Sequence, residues 1–288
     1  MNIILVYKKT LKEIFLTDRS STKKKIEKDK ALCTCILRTD QEYRKALASV
    51  EDILHEEGLQ YKKIYRGNLS GMHNTDLVIV VGGDGTFLNA AHHLNAQAFL
   101  LVNANPKDSE AFYSGATRKD FRQKLRSHLA HNLPGTSIYR LKLVKDKKEV
   151  RMRAVNDILI AHQIPSAVTR YVISVNGKRE EQKSSGIWIA TPGGSTAAIH
   201  SAGGKILPIS SKKIQYLVRE PYKRKEYQML HGITTKIAIY SKTRRCRIFI
   251  DGRHDSIDLN VSERLDITLD DKPLFVLGFD KNKNKRYI

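Results

Sequence analysis

Cysteine is scarce: Cys33, Cys35 and Cys246 are the only three in 288 residues. Three thiols make a poor disulfide framework for a chain this long, so a reducing, cytoplasmic setting is expected. Cys33-Thr34-Cys35 is too short and isolated for a metal, and no protein-borne metal site is expected. No apolar run approaches the roughly 20 residues of a membrane span, so no membrane partner is expected. Met1-Asn2-Ile3-Ile4-Leu5-Val6-Tyr7 enters strand-like sequence at once, and no targeting peptide is expected. Acidic residues are few, 30 against 51 Lys and Arg, giving a formal net charge of +21. That excess suits nucleic acid or polyphosphates. The cations are scattered, however, and few aromatics interleave with them as a base-stacking platform requires. A lysine-rich solvated surface is the simpler reading, and no nucleic-acid partner is expected.

What the chain does have is organised around residues 76–88, Asp-Leu-Val-Ile-Val-Val-Gly-Gly-Asp-Gly-Thr-Phe-Leu. Residues 77–81 read as a strand buried on both faces, as inside a parallel sheet. Gly82-Gly83-Asp84-Gly85-Thr86 ends it with three glycines around one carboxylate, where a ligand can approach the backbone closely. From Thr86 the apolar residues Phe87, Leu88, Ala90, Ala91 and Leu94 predict a helix. Free N–H groups at such a strand–loop–helix junction favour phosphate. Neither G-x-G-x-x-G nor the P-loop pattern is present. The bland alternative is a tight turn with Asp84 as the helix N-cap.

Strand and helix signals alternate up to residue 134. Residues 3–7, 61–65 and 98–103 read as strands, 39–57 as a helix capped by Asp40, and 119–129 as an amphipathic helix. The charged stretch 23–30 reads as an exposed loop or frayed helix. This alternation predicts a doubly wound, Rossmann-like α/β domain over 1–135. From residue 136 to 272 short β-rich runs follow one another, at 138–144, 149–160, 168–175, 187–190, 236–240, 247–250 and 265–268. Asn176-Gly177 is a hairpin signal. A mostly antiparallel, β-sandwich-like second domain is expected, with a short helix over 195–201. Segment 273–288 is expected to return to the first domain and to end in a basic tail at 281–286. No internal repeats are visible.

Two further segments are dense in polar and small residues. Asn156-Asp157 interrupts the alternation of a strand. Residues 184–204 run Ser-Ser-Gly-Ile-Trp-Ile-Ala-Thr-Pro-Gly-Gly-Ser-Thr-Ala-Ala-Ile-His-Ser-Ala-Gly-Gly. Such a run makes a poor core and a good surface for a polar ligand met by backbone amides. A β-bulge and an ordinary loop are the alternatives. Asp251-Gly252 reads equally as a hairpin turn or as part of a site.

Gly82-Gly83-Asp84-Gly85-Thr86, Asn156-Asp157, and Thr191-Pro192-Gly193-Gly194-Ser195-Thr196-Ala197 with Ser201-Ala202-Gly203-Gly204 together resemble the motif set of the NAD kinase family. The resemblance covers roughly residues 76 to 255. The glycine loop is shared with diacylglycerol and sphingosine kinases, while the other two motifs are far more specific. Asn156 to His162, Ser195 to Ala198 and Val218-Arg219-Glu220-Pro221 look like the plant NADH kinases. Val102-Asn103 with Pro106, and Gln182 to Gly186, are similar to the animal mitochondrial enzymes. The more familiar bacterial enzymes carry Asp where Ser185 stands and Tyr where Ala198 stands. A different pocket, tolerant of NADH, is the expectation.

The resemblance implies transfer of the ATP γ-phosphoryl group to the 2′-hydroxyl of the adenosine ribose of NAD or NADH. It implies Asp84 as the catalytic base, the Gly82, Gly83 and Gly85 amides with Thr86 against phosphates, and Mg²⁺ bridging the ATP oxygens. Asn156 and Asp157 would bind the adenosine, with Ser185, Thr191, Gly194, Ser195, Thr196, Ala197 and Ser201 around the same dinucleotide. His200 is expected on a pocket wall or the surface, and a homo-oligomer, dimer or tetramer, is implied. The rival readings are a lipid kinase sharing the glycine loop and a non-catalytic dinucleotide- or nucleic-acid-binding regulator.

Overall fold

The computed structural model describes residues 1–16, 21–69, 75–93, 98–252 and 256–283. They divide into two compact units, one made of Met1–Thr136 with Leu274–Asp280, the other of Ser137–Pro273 with the described residues from Lys281 on, so only Leu274–Asp280 of the expected returning segment joins the first unit.

The first unit is Rossmann-like. Its strands are β1 (Ile3–Tyr7), β2 (Tyr61–Tyr65), β3 (Leu77–Gly82), β4 (Ala98–Asn103), β5 (Ala116–Thr117) and β6 (Gly135–Ile138), joined by a late strand, Leu274–Leu277. The sheet runs β2-β1-β3-β4, then Leu274–Leu277, then β6, with β5 beside β4. β1, β2, β3 and β4 pair in parallel, with Leu5 opposite Ile79 and Ile79 opposite Leu100. β3 is buried at every position, as its unbroken apolar run requires. The helices are α1 (Leu11–Phe15), α2 (Ser21–Lys28), α3 (Lys30–Glu56), α4 (Asp84–His93) and α5 (Phe121–Leu129). One sheet face packs Leu5, Ile79 and Leu100 against Tyr43, Ala46, Val50 and Leu54 of α3 and against Phe121 and Leu125 of α5. On the other face Phe87 of α4 meets Phe99 of β4 edge-on, with ring centroids 5.6 Å apart. Each such buried side chain contributes about 1.5–3 kcal/mol.

Two expectations are corrected here, and one left open is decided. The helix expected over 39–57 begins at Lys30, capped by Asp29, whose carboxylate accepts the Leu32 N–H at 2.9 Å. Its first turns leave Leu32 and Leu37 exposed, so no apolar stripe announces them. Asp40 is buried within that helix rather than capping it, and accepts from Thr10 Oγ1 at 2.6 Å and Arg44 Nε at 3.0 Å. The charged stretch 23–30 is largely helix α2, held through buried Ile26. Leu94 and residues 284–286 of the expected basic tail lie outside the described residues.

The second unit contains β7 (Leu141–Lys145), β8 (Lys148–Glu149), β9 (Asp157–His162), β10 (Thr169–Val175), β11 (Lys178–Ser184), β12 (Gly186–Ala190), β13 (Ile214–Arg219), β14 (His231–Thr234), β15 (Lys236–Ser241), β16 (Cys246–Ile250), β17 (Ser256–Asp258) and β18 (Arg264–Leu269). A 3₁₀ turn, Gly193–Thr196, and the short helix α6 (Ala198–Ser201) stand where one short helix was expected. Two six-stranded antiparallel sheets result, β11-β10-β15-β18-β7-β8 and β14-β13-β12-β9-β16-β17. Alternate residues from both sheets, including Ile158, Ile160, Ile187 and Ile189 from one and Ile173, Ile239 and Ile267 from the other, share one core. This is the β-sandwich arrangement. Asn176 and Gly177 both have positive φ, 51° and 79°, and close the two-residue hairpin between Val175 and Lys178. The run 149–160 becomes strand only from Asp157, and β13 had not been expected as a strand.

In the first unit the late strand reaches the glycine loop's surroundings through aromatic rings. Phe275 and Val276 pair with Ala98 and Phe99. Phe279 then packs on Phe112 at 5.5 Å and Tyr113 at 6.1 Å, and Tyr113 stacks on Phe87 at 4.8 Å. A Cβ on Gly115 would sit 1.9 Å from the Leu277 carbonyl, so only glycine fits there. Phe279→Ala should therefore cost about 3–5 kcal/mol, read by denaturant unfolding, because it empties a buried aromatic site. A loss below about 1 kcal/mol would show that the ring cluster does not hold segment 111–115.

Candidate active site

The glycine loop lies at the carboxyl end of β3. Gly82 has φ +155°, and a Cβ there would come within 2.7 Å of Thr86 Oγ1. Thr86 is buried and its N–H bonds the Gly83 carbonyl at 3.0 Å, closing the turn. Gly83 is half-buried, and a Cβ on Gly85 would meet open space. α4 starts at Asp84 rather than at Thr86. The half-buried Asp84 carboxylate reaches beyond its own helix and accepts the Phe112 N–H at 2.8 Å and the Tyr113 N–H at 3.0 Å. A carboxylate oxygen can accept more than one hydrogen bond, so an amide partner does not by itself exclude a hydroxyl.

Two side chains shape that segment. Asn103, at the end of β4, donates to the Ser109 carbonyl at 2.8 Å and accepts the Asn105 N–H at 3.0 Å. Ala111 holds φ at 43°, an uncommon state for a residue with a Cβ, immediately before the two amides that meet Asp84. Sequence reasoning missed Phe112 and Tyr113, because backbone amides leave no trace in residue type. Asn103 at the end of a buried strand was the available signal.

In the second unit Asp251 organises the Asn156-Asp157 segment. Its carboxylate accepts three consecutive backbone N–H groups, those of Val155 at 2.7 Å, Asn156 at 2.7 Å and Asp157 at 3.0 Å. Its own N–H returns to the Asp157 carbonyl at 3.0 Å. Asp251-Gly252 is thus more than a turn. Hydrogen bonds to a charged acceptor contribute about 1.5–3 kcal/mol each, enough to hold Asp251 at its left-handed φ of 49°.

Asn156 is half-buried, whereas Asp157 is buried at 4% exposure, with no donor to its carboxylate among the described residues. Burial, with the nearby Asp251 charge, raises the Asp157 carboxyl from 3.8 to about 7. Near neutrality such a group can both donate and accept a hydrogen bond.

The glycine-rich run packs directly against this pair. Thr191 donates its Oγ1 to the Val155 carbonyl at 2.6 Å, its N–H to the Asn156 carbonyl at 2.9 Å, and accepts the Gly194 N–H at 2.9 Å. A Cβ on Gly194 would stand 1.9 Å from the Asn156 carbonyl oxygen. Ser195 is fully buried, donating to the Pro192 carbonyl at 2.7 Å and accepting the Leu207 N–H at 2.9 Å. Thr191, Gly194 and Ser195 are therefore scaffold, holding the wall on which Thr196 and Ala197 are half-buried and Ser201 exposed. Ser185 is half-buried and its N–H bonds the Arg219 carbonyl at 3.1 Å. His200 is exposed, its Nδ1 3.4 Å from the Gly204 carbonyl. Beyond Gly204 a cavity of about 360 Å³ is lined by Lys205, Gln215, Leu217 and His231. Among the described residues no group of three His, Cys, Asp or Glu side chains converges as a metal cage.

The first unit thus carries a glycine-loop carboxylate at the end of a parallel strand, and the second a separate amide-and-acid cluster on a β-sandwich. No family model matches the chain. The probable NADH kinase of Oryza sativa subsp. japonica is 29% identical over 256 residues, covering 79% of this chain and 79% of that protein. The NAD kinase of Methanospirillum hungatei is 27% identical, covering 81% of this chain and 88% of its own length. Among solved structures, an NAD kinase from Archaeoglobus fulgidus in complex with ATP superimposes with a TM-score of 0.71 at 18% identity, over 100% of this chain and 97% of that one. Yeast NADH kinase complexed with NADH gives 0.72 at 16%, over 99% and 86%. In sequence the chain is similar to NADH and NAD kinases, and it shares the fold of the solved ones.

The raised Asp157 carboxyl has a definite linkage sign. The folded protein holds a proton between about pH 4 and pH 7 that the unfolded chain has released, so stability falls as pH rises through that window. Without dinucleotide, the wild type should lose a few kcal/mol relative to Asp157→Asn between about pH 5 and pH 8, measured by denaturant unfolding. Parallel pH profiles for the two proteins would refute the assignment.

Proposed function

We infer that the protein is an ATP-dependent NAD(H) kinase. The acceptor's 2′-hydroxyl oxygen attacks the γ-phosphorus of ATP, the bond to the β-phosphate oxygen breaks, and ADP leaves with NADP or NADPH as product. The observation that carries this reading is the Asn156-Asp157 pair fixed by Asp251 and backed by Gly194. A lipid kinase built on the same glycine loop has no use for it. A carboxyl near neutrality beside a carboxamide presents donors and acceptors together, which suits the adenosine end of a dinucleotide.

Asp84 is assigned to the hydroxyl proton. It sits at the carboxyl end of β3, where α/β sheets bind ligands, and its two amide bonds fix its orientation. Phosphoryl transfer is largely positioning and charge stabilisation, so the base acts late and lightly. The backbone of Gly82, Gly83 and Gly85 offers close approach for phosphate oxygens. Mg²⁺ is proposed to arrive on ATP, and hard carboxylate and phosphate oxygens are the donors it prefers. Thr196, Ala197, Ser201 and Ser185 are proposed around the dinucleotide, with Thr191, Gly194 and Ser195 acting through the backbone they hold. A homo-oligomer, dimer or tetramer, and a cytoplasmic location belong to the same reading. The three free cysteines, Cys33, Cys35 and buried Cys246, agree with a reducing compartment.

Asp84→Asn should lower kcat for NADP(H) formation roughly 10²–10⁴-fold while the KM for the dinucleotide changes little. The assay offers NAD and NADH separately with Mg-ATP, and unfolding of the variant is followed in parallel. Undiminished turnover in the variant would remove Asp84 from the chemistry. Absence of product from the wild type with either dinucleotide would remove the kinase reading altogether.

A further inference from the structure

A cleft in the first unit, away from every motif singled out in the sequence, is lined mainly by cations. It has a volume of about 590 Å³ and lies between α3 and α5, on the sheet face opposite α4. The helical period of α5 builds it. Arg122 and Arg126 share one face of that helix, about 6 Å apart along its axis. Arg118 and Lys119 enter from the two residues before the N-cap Asp120, and Gln123 and Ser127 form the row beside the arginines. From α3 comes Ile53, 7% exposed, as the apolar wall.

Two acids at the end of α3 hold the arginines without matching all of the charge. Glu57 Oε1 accepts Arg126 Nε at 2.9 Å and Arg122 Nη1 at 3.4 Å, and Glu56 accepts Arg122 Nη2. Ion pairs made by such exposed guanidinium groups are weak, so they orient the arginines more than they neutralise them. Arg126 donates through Nε alone, which leaves its Nη1 and Nη2 groups unused among the described residues. Arg118 and Lys119 have no ion pair or side-chain hydrogen bond among the described residues. Asp120, next in the chain, turns back to accept the Thr117 N–H at 2.6 Å and its Oγ1 at 2.7 Å. Four cations held by two carboxylates leave the cleft with two positive charges in excess.

We propose that this cleft binds a small molecule carrying a phosphate group, at a site separate from the glycine loop. A phosphomonoester carries about −1.5 to −2 charges near neutral pH, which matches the excess. The guanidinium forks fit its paired oxygens, and Lys119 adds a mobile point charge. Gln123, Ser127 and Ile53 supply polar and apolar contacts for the rest of the molecule. The volume falls within the range of small-ligand sites, about 300–1,000 Å³. Free inorganic phosphate shares the chemistry that is recognised. The site is independent of the kinase reading, since Asp84 and the glycine loop take no part in it.

Calorimetry on the full chain, with phenyl phosphate and inorganic phosphate as separate titrants, measures the binding, and hydrogen–deuterium exchange locates it. The expected result is slowed exchange within residues 117–128 and an affinity lowered about tenfold or more by Arg118→Glu/Lys119→Glu. Charge reversal at two exposed lysines of the second unit, Lys147→Glu/Lys148→Glu, should leave the affinity unchanged. Each variant is checked by its unfolding midpoint; if the Arg118/Lys119 variant is destabilised, Arg126→Gln carries the same expectation. Tighter binding of phenyl phosphate assigns the site to a phosphomonoester, and equal binding assigns it to phosphate itself. Wild-type affinity in the folded Arg118/Lys119 variant would overturn the proposal. So would an equal loss in the Lys147/Lys148 variant, which would show attraction by net charge alone. Absence of binding by the wild type, or slowed exchange only outside residues 117–128, would overturn it as well.

Discussion

Carboxylates closing on backbone amides are the interaction on which both clusters depend. Asp251 gathers three consecutive N–H groups where β9 begins, and Asp84 gathers two before Ser114. Both segments are irregular backbone that neither a sheet nor a helix satisfies. Left without acceptors, such amides would each cost about 1–3 kcal/mol when buried. Each acid therefore shapes the backbone around it and fixes its own orientation. In the second unit the consequence extends further, because Asp157 is held by backbone bonds in a place where burial and Asp251 oppose its ionisation.

Close backbone approach is the second constraint, and it falls on few residues. Gly194 and Gly115 each leave room for a carbonyl oxygen that a Cβ would meet at 1.9 Å. One brings the glycine-rich run onto Asn156, and the other brings segment 111–115 onto the strand Leu274–Leu277. The last strand of the chain thereby completes the packing behind the Asp84 loop, through Phe279, Phe112 and Tyr113. The long return across the whole second unit serves the first unit's site as much as its sheet.

Much of this was legible because burial leaves a periodic trace. The unbroken run 77–81 and the alternation at Ile158, Ile160, Ile187 and Ile189 specify a doubly covered strand and a sandwich face respectively. The beginning of α3 was not legible, since Leu32 and Leu37 face outward and Asp40 imitates a cap while pairing with Thr10. Among the candidate residues, type alone could not separate a ligand contact from a scaffold. Thr191 and Ser195 look like binding hydroxyls, yet both are spent on neighbouring backbone. Amides that face Asp84 and a carboxylate shifted toward neutrality are products of the fold, not of composition.

The charge excess of +21 gains a more specific meaning when the cations are placed. Many are matched on the surface, as Lys63 is by Glu51, Arg122 by Glu56 and Lys242 by Glu181. Such exposed pairs contribute little, about 0–1 kcal/mol each, and say nothing about function. Lys8 and Lys9 lie instead against the rings of Tyr43 and Tyr65, with no carboxylate paired to them among the described residues. ATP is a polyanion and the dinucleotide a net anion, so a cationic surface raises their local concentration and encounter rate.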